Sequence, residues 1–264
     1  MTLSKILENF FISTAWKMEK PQAYGALHLI FFAVGLALSI FLAIKLRGLG
    51  EKGSRRLIVG LGIFLILTEV YKQLFYYYVV DGIGYHWWIF PFQLCGIPMY
   101  ICVIAPFLKS QKLKTALYTF LMTYNLLGGF ISFLEPSGLC HEYVTLTLHA
   151  FVWHMALVFL GLYVALSGKG GKSVADFKRA ILVFFSLCVI AFAINLTVKG
   201  ITSEDINMFY IGPQNSPLAV FKDISRIFGW YVNTLIYIPV LTLGAYIFYL
   251  PTYLYNKRKK RSEQ

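Results

Sequence analysis

The chain has 264 residues, 58% of them hydrophobic and only 14% charged, with a mean hydropathy of +0.65. Soluble domains carry about 25% charged residues, so the composition excludes a soluble globular protein and makes residues 1–264 a single polytopic membrane domain. The net charge of +12 does not point to nucleic acid, which requires a basic face on a folded soluble surface; here Lys and Arg lie between apolar runs. Four cysteines in a chain this long make no disulfide framework, and Glu8 and Glu19 break up the opening stretch, so no cleavable signal peptide is expected.

Residues 6–16 set Ile6, Leu7, Phe10, Phe11 and Trp16 at mostly helical spacing and predict a short helix on the membrane surface. Seven later stretches are long enough to cross a core of ~30 Å, which takes roughly 20 helical residues. They are 24–46, 57–80, 89–108, 115–134, 144–166, 180–198 and 230–254. The segments after the first, third, fifth and seventh carry seventeen Lys and Arg, against six on the other side. The positive-inside rule then places the N-terminus outside and the C-terminus in the cytoplasm. The expected fold class is all-α: a seven-transmembrane-helix bundle, N-out and C-in. In the outer segment 200–229, Ser216 as N-cap and Leu218, Phe221, Ile224 and Phe228 opposite Lys222, Asp223 and Arg226 predict an amphipathic cap helix. The basic run Lys257-Arg258-Lys259-Lys260-Arg261 is a topology signal rather than a specific anionic-lipid site.

The third stretch differs from the others. Residues 86–102 are apolar yet hold Gln93, Cys95, Cys102, Pro91 and Pro98, none of which lipid contact requires. Proline at this depth is tolerated where neighbouring helices or water re-satisfy the freed backbone groups, so the segment belongs inside the protein. Pro98 cannot donate to the Leu94 carbonyl, which predicts a kink beside Cys95. Helical spacing puts Pro91, Cys95, Pro98 and Cys102 on one face. A packed kink with two inert thiols is the ordinary reading of such a face.

Glu69 and Lys72, three residues apart in the second stretch, share a helix face and form either a structural ion pair or a substrate-handling or proton-handling pair. In the fifth stretch, His149 and His154 point ~140° apart and do not both face one site. Asn125, Gly128 and Gly129 in the fourth favour close packing first and a site second. A buried thiol is a poor nucleophile unless an imidazole takes its proton, so Cys95 with one of these histidines is the minimum pair for acyl transfer. At ~1.5 Å per residue, Cys95 lies roughly 9 Å below its outer end, His149 roughly 7–8 Å and His154 roughly 15 Å. Depth alone prefers His149. No His or Cys cluster has zinc spacing and no phosphate-cradling Gly loop is present, so neither metal nor cofactor is expected.

Pro91-x-x-x-Cys95-Gly96, Gly128-Gly129 followed by Pro136, Trp153-His154, and Asn207, Tyr210 and Pro213 together resemble the YwaF-type family of bacterial integral membrane proteins, related to eukaryotic transmembrane acyltransferases that remodel phospholipids. The resemblance covers most of the chain and implies a bacterial cell-membrane location. It implies Cys95 and His154 as the acyl-transfer pair, with His149 as the alternative base, and relatives often carry a histidine where this chain has Gln93. The function expected is acyl transfer or acyl hydrolysis on membrane lipid, with Gln93, Glu69, Lys72, Asn125, Asn207 and Tyr210 lining the site. The alternatives are a small-molecule binder or transporter built on the Glu69–Lys72 pair, or a structural membrane protein.

Overall fold

The computed structural model describes residues 2–202 and 204–262, with backbone only for Lys260 and Arg261. The end of the basic run therefore lies outside the described side chains. All regular structure among these residues is helical, apart from one isolated antiparallel bridge between Lys17 and Tyr143. Six helical stretches are long and apolar enough to cross a membrane: Ala26–Leu46, Glu51–Val80, Gln111–Leu134, Val144–Leu166, Val174–Thr202 and Ala219–Lys259. A shorter apolar helix covers Ile97–Phe107.

The N-terminal helix α1 (Leu3–Ser13) starts earlier than its apolar spacing predicts because the Thr2 hydroxyl accepts the Lys5 N–H and caps it. It ends where residues 16–18 leave to pair with residues 142–144: the Met18 N–H donates to the Glu142 carbonyl at 2.8 Å and the Val144 N–H to that of Trp16 at 2.9 Å. α1 buries Phe11, which stacks on Tyr78, and leaves Leu3, Ile6 and Phe10 exposed. That one-sided burial suits a helix lying along a surface.

α2 (Ala26–Leu46) leads to α3 (Glu51–Phe75), which runs on through a π-helical turn at Tyr76–Val80. α5 (Gln111–Phe120) and α6 (Leu126–Leu134) are one apolar stretch joined by a π turn at Leu121–Asn125. α7 (Val144–Leu166) is packed by α2, α3 and α6 and carries the fully buried Phe151, Leu157 and Tyr163. α8 (Val174–Thr202) is started by a reciprocal cap: the Asp176 N–H donates to Ser173 Oγ while the Asp176 carboxylate accepts from the Ser173 N–H.

α9 (Ala219–Ser262) contains the expected outer helix, separated from the long apolar part by Gly229 at φ +85. Only glycine takes that left-handed angle without steric cost. The helix begins later than Ser216. Leu218 supplies the first accepting carbonyl, to the Lys222 N–H at 2.7 Å, and Ser216 instead donates its own N–H to Ser225 Oγ.

The 86–107 segment is not the kinked helix its sequence predicts. Residues Trp87–Ile89 make one 3-10 turn, the chain is then irregular through Gly96, and α4 (Ile97–Ile104) begins with Pro98 in its first turn and ends in the 3-10 turn Ala105–Phe107. Proline fits a first helical turn because the N–H it lacks would have no intrahelical partner there. Pro98 therefore starts a helix rather than bending one, and the one-face grouping of Pro91 and Cys95 with Cys102 does not hold.

The segment nevertheless runs antiparallel to α3 along most of its length. The Gln73 amide bonds the Ile89 carbonyl, Leu65 shares a cluster with Met99, Gly62 faces Cys102 and Val103, and Arg55 lies over Phe107. Gly62 permits the close approach: a Cβ there would come within 2.7 Å of the Cys102 Cβ.

Candidate functional site

The irregular stretch leaves backbone groups without helical partners, and side chains from other elements satisfy them. Gln73 Nε2 donates to the Ile89 carbonyl at 2.6 Å, the Tyr100 hydroxyl to that of Pro91 at 3.0 Å, and the Trp153 indole N–H to that of Cys95 at 3.0 Å. The Trp87 N–H donates to Glu204 Oε2 at 2.8 Å. Unpaired backbone groups away from water are costly, so these donors hold Cys95 in position in place of a helix. They come from α3, α4 and α7.

Cys95 is half-buried against Leu65, Met99, Trp153 and Leu157. All four cysteines are free thiols. Lys72 and Glu69 lie within electrostatic reach of Cys95, as do the phenols of Tyr210 and Tyr237. Glu69 is buried and doubly satisfied: Lys72 Nζ stands 2.8 Å from its Oε1 and Gln73 Nε2 donates to the same oxygen at 2.6 Å. Glu69 is eleven residues from the Val80 end of the Glu51–Val80 helix and eighteen from the Glu51 end. The pair therefore lies between the middle of that helix and its Val80 end, with Glu69 ~5 Å from the middle at ~1.5 Å per residue.

The two histidines of α7 flank Trp153. The His149 ring lies tilted against the indole at 5.4 Å between centroids, and its Nε2 is buried with no partner. His154 Nδ1 bonds the Ala150 carbonyl at 2.7 Å, which fixes Nδ1 as the donor and leaves Nε2 with its lone pair. The His154 ring meets Phe133 edge-on at 6.5 Å, on the side of α7 where Gly129 packs against the His154 carbonyl. Among the described residues no hydrogen bond joins Cys95 to either imidazole. Trp153, on the histidine-bearing helix, instead bonds the backbone of the thiol-bearing turn.

The remaining expected site residues make backbone hydrogen bonds or shape the 207–212 loop. Gln93 clamps the 207–209 backbone in both directions, donating to the Asn207 carbonyl at 3.1 Å and accepting from the Phe209 N–H at 2.9 Å. Asn195 does the same to Met208 from α8, at 3.1 and 2.6 Å. These two amides hold Phe209 and Tyr210 at φ +58 and +57, angles that non-glycine residues adopt at a cost. Asn207 accepts from the Gly212 N–H at 2.7 Å and shapes the same loop. Asn125 ties the π turn to α7, donating to the carbonyls of Leu121 and Leu157 at 2.9 and 3.0 Å. Among the described residues, no three His, Cys, Asp or Glu side chains are grouped to hold a metal.

Sequence reasoning did not find Gln73 or Asn195. Gln73 follows Glu69 by one turn on the same face, and Asn195 is a lone amide in an apolar run. Both signals were available.

A transmembrane protein family model, the TMEM164 family, matches residues 21–250. The chain belongs to the TMEM164 family. The matched region of this TMEM164 chain contains every motif residue from Pro91 to Pro213 together with all of α2 to α8. No curated protein and no solved structure matches it.

Proposed function

We propose that this protein is a membrane-embedded acyl-transfer or acyl-hydrolysis enzyme acting on lipid. Cys95 is the nucleophile, His154 the general base and His149 the alternative base. The observation that supports the reading is the Trp153 indole on the Cys95 carbonyl, which ties the thiol-bearing turn to the helix carrying both imidazoles. The free His154 Nε2 is the tautomer a base needs. Hydrogen bonds between catalytic groups are often unformed before substrate binds.

In the reaction, the imidazole takes the Cys95 proton as sulfur attacks the ester carbonyl of a lipid. The ester C–O bond breaks, a thioester forms, and the imidazolium returns the proton to the departing lysolipid alkoxide. A second alcohol, or water, then attacks the thioester with the imidazole again as base, which restores the thiol.

We also propose seven crossings, N-out and C-in, with the antiparallel run of residues 89–107 along α3 as the third. The pairing from Gln73–Ile89 to Arg55–Phe107 covers eighteen residues of α3, or ~27 Å at ~1.5 Å per residue, close to a hydrocarbon core of ~30 Å. Glu69 is paired by Lys72 and Gln73, and Gln73 also bonds the Ile89 carbonyl, which suits a pin between α3 and the irregular turn better than a transported substrate.

Cys95→Ser and His154→Ala are each expected to abolish lipid acyl exchange in membranes at normal insertion, and full activity in both removes the proposal. Loss in His149→Ala with an active His154→Ala transfers the base role to His149. Uptake that collapses in Glu69→Gln, with Cys95→Ser silent, replaces the enzyme with a transporter.

A further inference from the structure

The Lys- and Arg-rich end of the bundle, opposite the Cys95 turn, contains a cavity of about 600 Å³. Small-ligand pockets span roughly 300–1,000 Å³. Its charged lining is Arg55, Lys114, Lys169 and Lys172 against Glu51 and Asp176. The two signs do not cancel. Asp176 is consumed locally, accepting from Ser173 Oγ at 2.7 Å, from the Lys172 and Ser173 N–H groups at 3.1 Å each, and pairing with Arg179 at 2.8 Å outside the cavity.

Among the described residues, Lys114, Lys169, Lys172 and Arg55 have no carboxylate within ion-pair distance, and Arg55 lies over the Phe107 ring at 5.9 Å. Four cations thus converge on one space with a single uncommitted carboxylate, Glu51. Like charges held together in this way repel, and the arrangement is relieved by an anion.

Three elements hold the cations in place. Arg55 sits on the first turns of α3, Lys114 on α5, and Lys169 and Lys172 on the 167–173 loop between α7 and α8. That loop is anchored where the Gly171 N–H donates to Thr119 Oγ1 at 2.8 Å, and a Cβ on Gly170 would collide with the Met122 side chain. The Gly171, Lys172 and Ser173 amides are occupied, so recognition falls to side-chain charge rather than to a backbone cradle. A guanidinium fork with several ammonium points suits a phosphate group.

We propose that this cavity binds a phosphate group, borne either by a phospholipid headgroup or by a small soluble phosphate ester. The proposal extends beyond the acyl chemistry and does not depend on Cys95.

The test uses the full chain in phosphatidylcholine nanodiscs. Inorganic phosphate and glycerol 3-phosphate are titrated calorimetrically, and retention of phosphatidic acid over phosphatidylcholine is read by native mass spectrometry. At least one ligand is expected to bind, and which one identifies the source. Lys114→Gln/Lys169→Gln should weaken it by roughly tenfold or more, while Lys112→Gln/Lys178→Gln, with the same charge change outside the cavity, should not. Glu51→Gln should tighten binding, and this decides the matter if the double lysine variant does not fold. Absence of binding by every ligand, equal loss in the control pair, or an unchanged affinity in Glu51→Gln overturns the proposal. Acyl exchange persisting in any of these cases leaves the Cys95 reading intact.

Discussion

The two halves of residues 86–107 satisfy their backbones in different ways. Ile97–Phe107 bonds mostly to itself and packs against Gly62 of α3, as a buried apolar helix does. Residues 86–96 rely on Gln73, Tyr100, Trp153 and Glu204 to pair their carbonyls and amides. A self-satisfied half needs only shape from its neighbours, whereas a half satisfied from outside needs particular donors. The thiol sits at the end of the dependent half, where its position is set by residues far away in sequence.

Mutations in the two halves should therefore fail differently. The largest expected effect is Gly62→Val. Overfilling the contact with Cys102 should cost about 1–3 kcal/mol or more, seen as a lower unfolding temperature in detergent with no particular loss of turnover per folded molecule. Trp153→Phe comes next. It keeps the ring but orphans the Cys95 carbonyl, at about 1–3 kcal/mol, and kcat for lipid acyl exchange should fall with KM little changed. Equal loss of kcat in both variants would erase the distinction between the halves.

Pro98→Ala separates a helix start from a helix kink. At a first turn the change should cost only about 0.4–1 kcal/mol, through the unfolded chain; a markedly larger shift in unfolding temperature would restore the kink. The smallest effect concerns the 81–86 loop. Burial holds the Asp81 carboxyl above the usual aspartate range, with His86 opposing and Glu204 adding to the shift. A carboxyl raised on folding stabilises the folded state at low pH, and that contribution is lost as pH rises through the raised value. Asp81→Asn should flatten this part of the stability–pH curve, measured by thermal unfolding across acidic to neutral buffers.

Much of the architecture was legible from apolar run length alone. The stretch expected at 144–166 is α7 to the residue, and those at 24–46 and 115–134 match to within four residues, whereas α3 starts six residues early at Glu51, α8 runs 174–202 where 180–198 is expected, and α9 runs 219–262 where 230–254 is expected. Residues 86–96 were not legible, because proline at position 98 fits a kink and a helix start equally well and only tertiary donors decide between them. The polar residues were found as types but not as partners. Gln93, read as site-lining, is a clamp on residues 207–209, and its role depends on a contact 114 residues away. The loop lysines read as topology signals converge on a cavity, which charge counting along the chain does not reveal.

In the proposed reaction the Cys95 sulfur carries an acyl group taken from lipid. The full chain in nanodiscs of phosphatidylcholine with deuterated acyl chains, quenched in acid and mapped by peptide mass spectrometry, tests it directly. A hydroxylamine-sensitive deuterated acyl adduct is expected on Cys95, absent from Cys102 and lost in His154→Ala. An unmodified Cys95, or equal labelling of Cys95 and the fully buried Cys102, contradicts it.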